Sequence, residues 1–215
     1  MAARRRKTKA LPMTVQVLRR FLVGLSADLR ALVLLAFRTA SRIGEVLELE
    51  RSNVTSLPET KELMVSFVTS KTNREGERRP DHRIMVADPE PEILAHLRKV
   101  KSGTLWKARH KAELRAALYR FKPDQLELAA WQKQAPEENL RRSYGFHSFK
   151  RGAAALAWEA LQRREITTDD LMLLLKHKDI RSSLEYCPVP LTAARSVGSR
   201  ATRATRVASS TMLSQ

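Results

Sequence analysis

The stretch Thr39-Ala40-Ser41-Arg42-Ile43-Gly44-Glu45-Val46 follows a long apolar run and carries an arginine and a glutamate three positions apart. On a helix these two side chains share a face, so an ion pair worth a few tenths of a kcal/mol is the ordinary expectation. The alternative is that Glu45 holds the Arg42 guanidinium as a fork directed at phosphate oxygens, a task that lysine performs less well. Arg42 is therefore a candidate phosphate-binding residue, with Glu45 in support.

A lysine follows at the end of a short β-type run. Lys71, in Thr69-Ser70-Lys71-Thr72, lies where a predicted strand meets a polar loop that contains Gly76. Taken alone, it is an ordinary solvated lysine of a hairpin. A flexible ammonium on such a hairpin can also reach a leaving 5′ oxygen and protonate it, so Lys71 is a candidate general acid.

The segment His147-Ser148-Phe149-Lys150-Arg151 places two cations after a histidine at the predicted start of a helix. Residues three and four positions on fall about 60° and 40° from His147 around a helix, so both cations should flank it. Free N–H groups at a helix N-terminus favour an anion there. The competing interpretation is a capping histidine beside two solvated cations.

Tyr186 lies nine residues after His177 and thirty-nine after His147. Alone, His177 is a histidine at a helix C-terminus, and Tyr186 is a half-buried aromatic residue. A phenol with an ordinary pKa of about 10 can nevertheless attack phosphorus if nearby positive charge offsets that pKa. Tyr186 is the candidate nucleophile, provided that folding brings the cations to it.

The composition agrees with a polyanionic partner. The chain of 215 residues has 40 Lys and Arg against 23 Asp and Glu, a net charge of +17, which favours nucleic acid over ordinary solvated surface charge. Cys187 is the only cysteine, so no disulfide can form within the chain. Without a membrane-length apolar run or a signal-peptide core, the sequence predicts an intracellular protein, nuclear in a eukaryote and otherwise in the cytoplasm or nucleoid.

The apolar spacing predicts one mainly helical domain over residues 11–190, with a small antiparallel sheet. A basic arm (residues 1–10) precedes it, and a Ser/Thr-rich basic tail (residues 191–215), which can bury little surface and should be disordered, follows it. Predicted N-caps are Thr14 and Ser26. Helices are expected over residues 14–25, 28–37, 91–100, 107–121, 125–134 and 148–163, with a further one from 169 or 170, and strands over 63–69 and 83–86.

The charged segments, read together, resemble the tyrosine recombinase (phage-integrase-like) family over residues 11–190. Residues 39–46 resemble its first arginine box, Ser70-Lys71-Thr72 its hairpin lysine, residues 147–154 its His-x-x-Arg box, and Leu175-Lys176-His177 with Tyr186 its closing segment. Each box is weak alone, whereas four in register are specific. The resemblance implies an α+β fold like that family's catalytic domain.

The resemblance also implies a mechanism. Arg42 and the cation after His147 would grip the scissile phosphate of double-stranded DNA, and Tyr186 would attack it to leave a 3′-phosphotyrosine and a free 5′ hydroxyl. Lys71 would be the general acid, and His147 and His177 would assist by proton transfer and hydrogen bonding. The family works as tetramers on paired sites, without metal or nucleotide cofactor, and the sequence itself contains no recognisable metal-ligand cluster.

Three departures from the family pattern keep alternatives open. Lys150 stands where the second arginine is expected, with Arg151 next to it, and Ala40-Ser41 replaces a turn that usually contains glycine. Family members usually carry a helical DNA-clamp domain upstream, whereas about ten residues stand before the predicted domain here, so either the chain is a fragment or a partner or the basic tails supply the clamp. The chain is thus either a strand transferase in site-specific recombination or mobile-element integration, or a DNA-binding protein of the same fold that does not cut. Relaxation by a type IB topoisomerase uses similar chemistry, and a basic RNA-binding protein is suggested by charge alone.

Overall fold

The computed structural model describes residues 9–67, 82–134, 143–177, 179–184 and 186. The basic arm up to residue 8, Lys71 and its loop, Cys187 and the tail lie outside the described residues. The described helices are α1 (Val15–Val23), α2 (Ala27–Arg38), α3 (Ile43–Leu47), α4 (Pro91–Lys99), α5 (Ala108–Arg120), α6 (Gln125–Gln134), α7 (Phe146–Gln162), α8 (Thr168–Leu175) and α9 (Ile180–Leu184). The strands are β1 (Val54–Leu57), β2 (Glu62–Phe67) and β3 (His82–Ala87). The predicted mainly helical fold with a small antiparallel sheet is confirmed.

Several helices begin where a side chain accepts a hydrogen bond from a backbone N–H group. The Thr14 hydroxyl accepts from Val17 and the Ser26 hydroxyl from Leu29, so both predicted N-caps are confirmed. At α8 the cap is Thr167, and the prediction of a start at residue 169 or 170 was slightly late. Such caps satisfy N–H groups that have no partner inside the helix, which explains why the sequence located these starts well.

Helix α2 forms the centre of the core. Its residues from Ala31 to Phe37 are all buried, and α2 packs against α3, α4 and α7. A helix that is apolar on all sides can be stable only with protein around it. The segment that follows α2 therefore starts from a rigid support, and this segment carries Arg42.

The sheet has the order β1-β2-β3, with both pairs antiparallel. Val65 of β2 lies opposite Val54 and Ile84, and the alternate β2 residues Leu63, Val65 and Phe67 are buried. This alternation is what a sheet with one face on the core requires. Strand β1 was not predicted, since its four residues are too short and too polar to give a periodic signal.

Residues 11–13 lie directly against α7. The Met13 N–H group donates to the Ser148 carbonyl at 3.1 Å, and the side chains of Leu11 and Met13 are fully buried. A Cβ atom on Gly152 would lie 1.9 Å from the Met13 carbonyl oxygen, so only glycine permits this approach. The contact fixes which face of α7 is covered by the N-terminal segment.

None of the helices in the described part of the chain combines the length and the apolar character that a bilayer span requires.

Candidate active site

A sharp turn between α2 and α3 positions Arg42. Ala40 adopts a positive φ of 44°, a region that glycine enters more easily than alanine. The Ser41 N–H group donates to the Ala36 carbonyl at 2.9 Å, and the hydroxyls of Thr39 and Ser41 lie 2.7 Å apart inside the core. The turn keeps the geometry that glycine would favour, although Ala40-Ser41 departs from the family pattern at this point.

Arg42 is the N-cap residue of α3, and the Glu45 carboxylate accepts hydrogen bonds from both its backbone and its side chain. The Arg42 backbone N–H group donates to Glu45 Oε2 at 2.9 Å, and Arg42 Nη1 donates to Glu45 Oε1 at 2.7 Å. A further guanidinium nitrogen, Nη2, lies 3.3 Å from the Tyr186 hydroxyl oxygen. About half of the Arg42 side chain remains exposed, with a relative accessibility of 47%. The predicted ion pair is therefore present, with Nη2 of the same guanidinium facing Tyr186, whereas its direction towards a phosphate stays a prediction.

Burial opposes ionisation of Glu45, but the ammonium of Lys176 and the hydrogen bonds from Lys176 and Arg42 outweigh it, and the pKa of Glu45 falls to about 2. Lys176 is buried and donates to Ser41 Oγ and, at 2.8 Å, to Glu45 Oε2. Its ammonium also lies 3.8 Å from the centre of the Phe67 ring. Glu45 thus stays ionised at neutral pH as the anion that two cations share.

Lys150 and Arg151 diverge, although both were expected to flank His147. Lys150 is buried, donates to the Leu175 carbonyl at 2.8 Å, and has its ammonium 5.0 Å from the centre of the Tyr186 ring. Arg151 is directed towards the N-terminal segment and donates to the Ala10 carbonyl at 2.8 Å. Successive residues differ by about 100° around a helix, which is enough to send neighbours to different partners. Of these two cations, the structure places Lys150 beside the phenol.

The surroundings of Lys150 weaken its positive charge. Burial and then the positive charge of Arg42 lower the pKa of Lys150 to about 7. An arginine at this position would keep its charge, whereas the lysine is close to half-protonated at neutral pH. The charge at this point of the site therefore depends on pH and on any anion that enters.

His177 lies at the end of α8, beside Tyr186. Its backbone N–H group donates to the Met172 carbonyl at 2.9 Å, and its Nδ1 lies 3.1 Å from Ser183 Oγ in α9. The His177 and Tyr186 rings are 5.2 Å apart between centroids and tilted by 44°. Burial, followed by the positive charge of Lys150, lowers the pKa of His177 to about 4. The imidazole is consequently neutral at pH 7.

The structure thus brings together Arg42, Lys150, His177 and Tyr186, while Arg151 lies elsewhere. His147 is exposed in the first turn of α7, and this helix begins one residue before it rather than at residue 148 as predicted. Lys71 lies outside the described residues. Among the described side chains, no group of three His, Cys, Asp or Glu residues is placed to hold a metal ion.

Lys176 is the residue of the site that the sequence did not identify. The sequence pattern includes it in Leu175-Lys176-His177 and predicts no role for it. The one signal was a lysine directly after the apolar run of α8, a position where a helix ends. Its φ of 58° and its contact with Glu45, 131 positions earlier, cannot be inferred from such a local pattern.

No protein-family model matches the sequence, and no curated protein has detectable sequence similarity to it. Solved structures do match. The chain superimposes on the XerH site-specific recombinase in a pre-cleavage complex with difH substrate, with a TM-score of 0.54 and 18% identity over 89% of this chain. A post-cleavage complex of XerH with palindromic difH gives a TM-score of 0.55 and 18% identity over 88% of this chain.

The chain adopts a tyrosine recombinase-like catalytic-domain fold. The Tn1549 transposon integrase, in complex with transposon right-end DNA, also matches, with a TM-score of 0.50 and 15% identity over 89% of this chain. The matched part is 55% and 52% of the two XerH chains and 66% of the integrase chain. The chain therefore spans about half the length of XerH, and at this level of identity the likeness concerns the fold.

Proposed function

We propose that this protein cleaves and rejoins double-stranded DNA through a 3′-phosphotyrosine intermediate on Tyr186, in site-specific recombination or mobile-element integration. The observation that carries the proposal is the 3.3 Å contact between Arg42 Nη2 and the Tyr186 hydroxyl oxygen, with the Lys150 ammonium beside the same ring. Positive charge around a phenol lowers the cost of forming the phenolate, and the same cations can hold a phosphate next to it. The recombinase-like fold and the net charge of +17 support DNA as the partner.

In the proposed reaction, the Tyr186 oxygen attacks phosphorus as its phenolic proton passes to a histidine, the proton-transfer role that the family resemblance gives to His147 and His177. A bond forms between this oxygen and phosphorus, and the bond from phosphorus to the 5′ oxygen breaks. Arg42 and Lys150 stabilise the negative charge that develops on the non-bridging oxygens. Because Glu45 already fixes the Arg42 guanidinium, little ordering of that side chain remains for the reaction step.

The two histidines and Lys71 complete the proposed chemistry. Nδ1 of His177 is engaged with Ser183, so its Nε2 is the atom available to a phosphate oxygen. Lys71 would donate the proton to the departing 5′ oxygen, and His147 would assist at the phosphate; both roles rest on the family resemblance. Rejoining reverses the steps, with a 5′ hydroxyl attacking the phosphotyrosine, and partner exchange would need self-association on paired sites.

A second function, DNA binding without cleavage, is favoured by one specific observation. Lys150 cannot supply the planar fork of an arginine, and its pKa near 7 leaves it only partly charged at neutral pH. Losing one transition-state donor commonly reduces the rate by about 10²–10³-fold. RNA binding rests on the charge alone.

A suicide substrate separates cleavage from binding. Duplexes that the protein selects from random-sequence DNA would be nicked close to the bound site, so that a cleaved end diffuses away and traps the intermediate. We expect a covalent protein–DNA adduct from the wild type and none from Tyr186→Phe. Tyr119→Phe is the matched control, because Tyr119 is 78% exposed on α5, and it should react like the wild type.

The possible results of this assay separate DNA cleavage from DNA binding. If the wild type binds the selected duplex, with an affinity that falls steeply as salt rises, but forms no adduct, then cleavage is refuted and the binding function holds. An adduct that persists in Tyr186→Phe would show that another residue is the nucleophile.

A further inference from the structure

Lys176 occupies a backbone position that disfavours a side chain. It ends α8 with φ 58° and ψ 45°, the left-handed conformation in which the Cβ of an L-residue is crowded and glycine is preferred. In this conformation the turn directs the next residue, His177, towards Tyr186, with ring centroids 5.2 Å apart. A lysine at such a position calls for a compensating interaction of its side chain.

The Lys176 ammonium is fully occupied by the protein. Its Nζ donates to Ser41 Oγ and, at 2.8 Å, to Glu45 Oε2, and it lies 3.8 Å from the centre of the Phe67 ring. The side chain is 5% exposed. Because these contacts and the low exposure hold the ammonium against the protein, they argue against a direct catalytic contact with a phosphate.

Glu45 connects this ammonium to the nucleophile. Its Oε2 accepts from both Lys176 and the Arg42 backbone, while its Oε1 accepts from the Arg42 guanidinium, which in turn reaches the Tyr186 hydroxyl. The chain of contacts runs from Lys176 through Glu45 and Arg42 to Tyr186. Lys176 is thereby attached by its backbone to the turn that carries His177 and by its side chain to α3, the helix that carries Glu45 and has Arg42 as its N-cap.

We infer that Lys176 is a positioning residue that locks the His177 turn to the Arg42–Glu45 pair and so fixes the Arg42 guanidinium against Tyr186. The inference rests on the proposed function for the consequence of that alignment, whereas the alignment itself is a property of the protein without DNA. Removing the ammonium leaves Glu45 with one cation, and the carboxylate can then follow Arg42 towards solvent. Misplacement by about 1 Å can reduce a reaction rate by as much as 10²-fold.

The first test needs no DNA. Hydrogen exchange of the Arg42 guanidinium is measured by NMR in wild type, Lys176→Met and Lys176→Arg. We expect faster exchange by several-fold in Lys176→Met, which keeps the length of the side chain without its charge, and near wild-type exchange in Lys176→Arg. Lys99→Met is the matched control, because Lys99 forms an ion pair with Asp28 on a different part of the surface. Unchanged exchange in Lys176→Met would overturn the inference.

The second test follows adduct formation on the suicide substrate at saturating DNA. We expect Lys176→Met and Lys176→Gly to form the adduct about 10–100-fold more slowly, with the dissociation constant for DNA unchanged within about threefold, and Lys176→Arg to restore most of the rate. Lys176→Gly relieves the backbone conformation without supplying a charge. A wild-type rate in this variant would show that Lys176 serves only its own turn and would overturn the inference.

The failures of the two proposals are distinguishable. No adduct from the wild type, together with faster Arg42 exchange in Lys176→Met, removes the proposed cleavage and leaves the positioning role intact. Adduct formation by the wild type and by Lys176→Met at equal rates removes the positioning role and leaves cleavage intact.

Discussion

Binding of DNA should cause Lys150 to take up a proton. Burial and the charge of Arg42 lower the pKa of Lys150 to about 7 in the protein without ligand. A phosphate held between Lys150 and Arg42 adds negative charge beside the amine and favours its protonated form. The two states of the site therefore bind different numbers of protons, and this difference can be measured.

The size of the effect follows from the pKa. At pH 8, a group with a pKa of about 7 is charged in roughly one molecule in ten, so a return to an ordinary lysine pKa of about 10.4 takes up about 0.9 proton per site. At pH 6 the amine is already about 90% charged, and the uptake falls to about 0.1 proton. By linkage, DNA affinity should fall as pH rises above 7, approaching tenfold per pH unit until the pKa of the bound state is reached.

Isothermal titration calorimetry gives the proton count. The selected duplex is titrated into protein at pH 8 in two buffers with different ionisation enthalpies, on a Tyr186→Phe background that prevents cleavage. The apparent enthalpy should differ between the buffers by about 0.9 of the difference in their ionisation enthalpies. In Lys150→Arg, which is always charged, and in Lys150→Met, which is never charged, this buffer dependence should nearly vanish.

Two results would contradict proton uptake by Lys150: an enthalpy that is independent of buffer in the Tyr186→Phe protein with Lys150 intact at pH 8, or the same uptake in Lys150→Arg. His177 is the competing source of protons. Its pKa of about 4 would have to rise by about four units before it contributed at pH 8, and Lys150→Arg still contains this imidazole. Uptake that persists in that variant would assign the proton to a group other than Lys150.

Two further predictions concern stability. Gly152→Ala should reduce the free energy of unfolding, measured in urea, by about 1–3 kcal/mol or more, because its Cβ would lie 1.9 Å from the Met13 carbonyl oxygen. Gly44→Ala is the control and should not destabilise, because nothing lies within 4 Å of a Cβ there. Equal losses in the two variants would contradict the packing argument. Glu45 has its pKa lowered to about 2 from 4.5, so it contributes stability that is complete above pH 4.5 and is lost as pH falls through 2. The free energy of unfolding, measured in urea between pH 7 and 2.5, should therefore be higher for the wild type than for Glu45→Gln, and this difference should decrease as the pH falls. A difference that does not change with pH would contradict the role of the carboxylate charge.

Local chemistry explains how much of the fold the sequence could predict. Thr14 and Ser26 cap the helices that they were expected to cap, because a hydroxyl within three residues of a free N–H group is a local interaction. Arg42 and Glu45 were predicted to pair for the same reason, since a spacing of three is set by the helix itself. Strand β1 was not predicted, because its pairing with β2, and not its own residue pattern, makes it a strand.

The parts that could not be predicted depend on contacts between distant positions. Which of Lys150 and Arg151 lies beside Tyr186 depends on the N-terminal segment, since Arg151 donates to the carbonyl of Ala10, which is 141 positions away. The role of Lys176 depends on a left-handed turn together with a carboxylate 131 positions away. A helical wheel shows that two cations are neighbours on a helix, but it does not show which of them will contact a distant segment of the chain.

The charges of the site are arranged around one carboxylate. Glu45 holds Arg42 and Lys176 in direct contact, so both cations have an anion beside them in the folded protein. Lys150 and His177 have no such partner among the described residues, and burial followed by the neighbouring cations lowers the pKa of each. Two groups close to the phenol are thus prepared to bind protons as soon as a negative charge arrives. A second anion placed beside Tyr186 would complete the charge balance that Glu45 begins, and a phosphate diester carries that charge on oxygens which both an arginine and a lysine can bind.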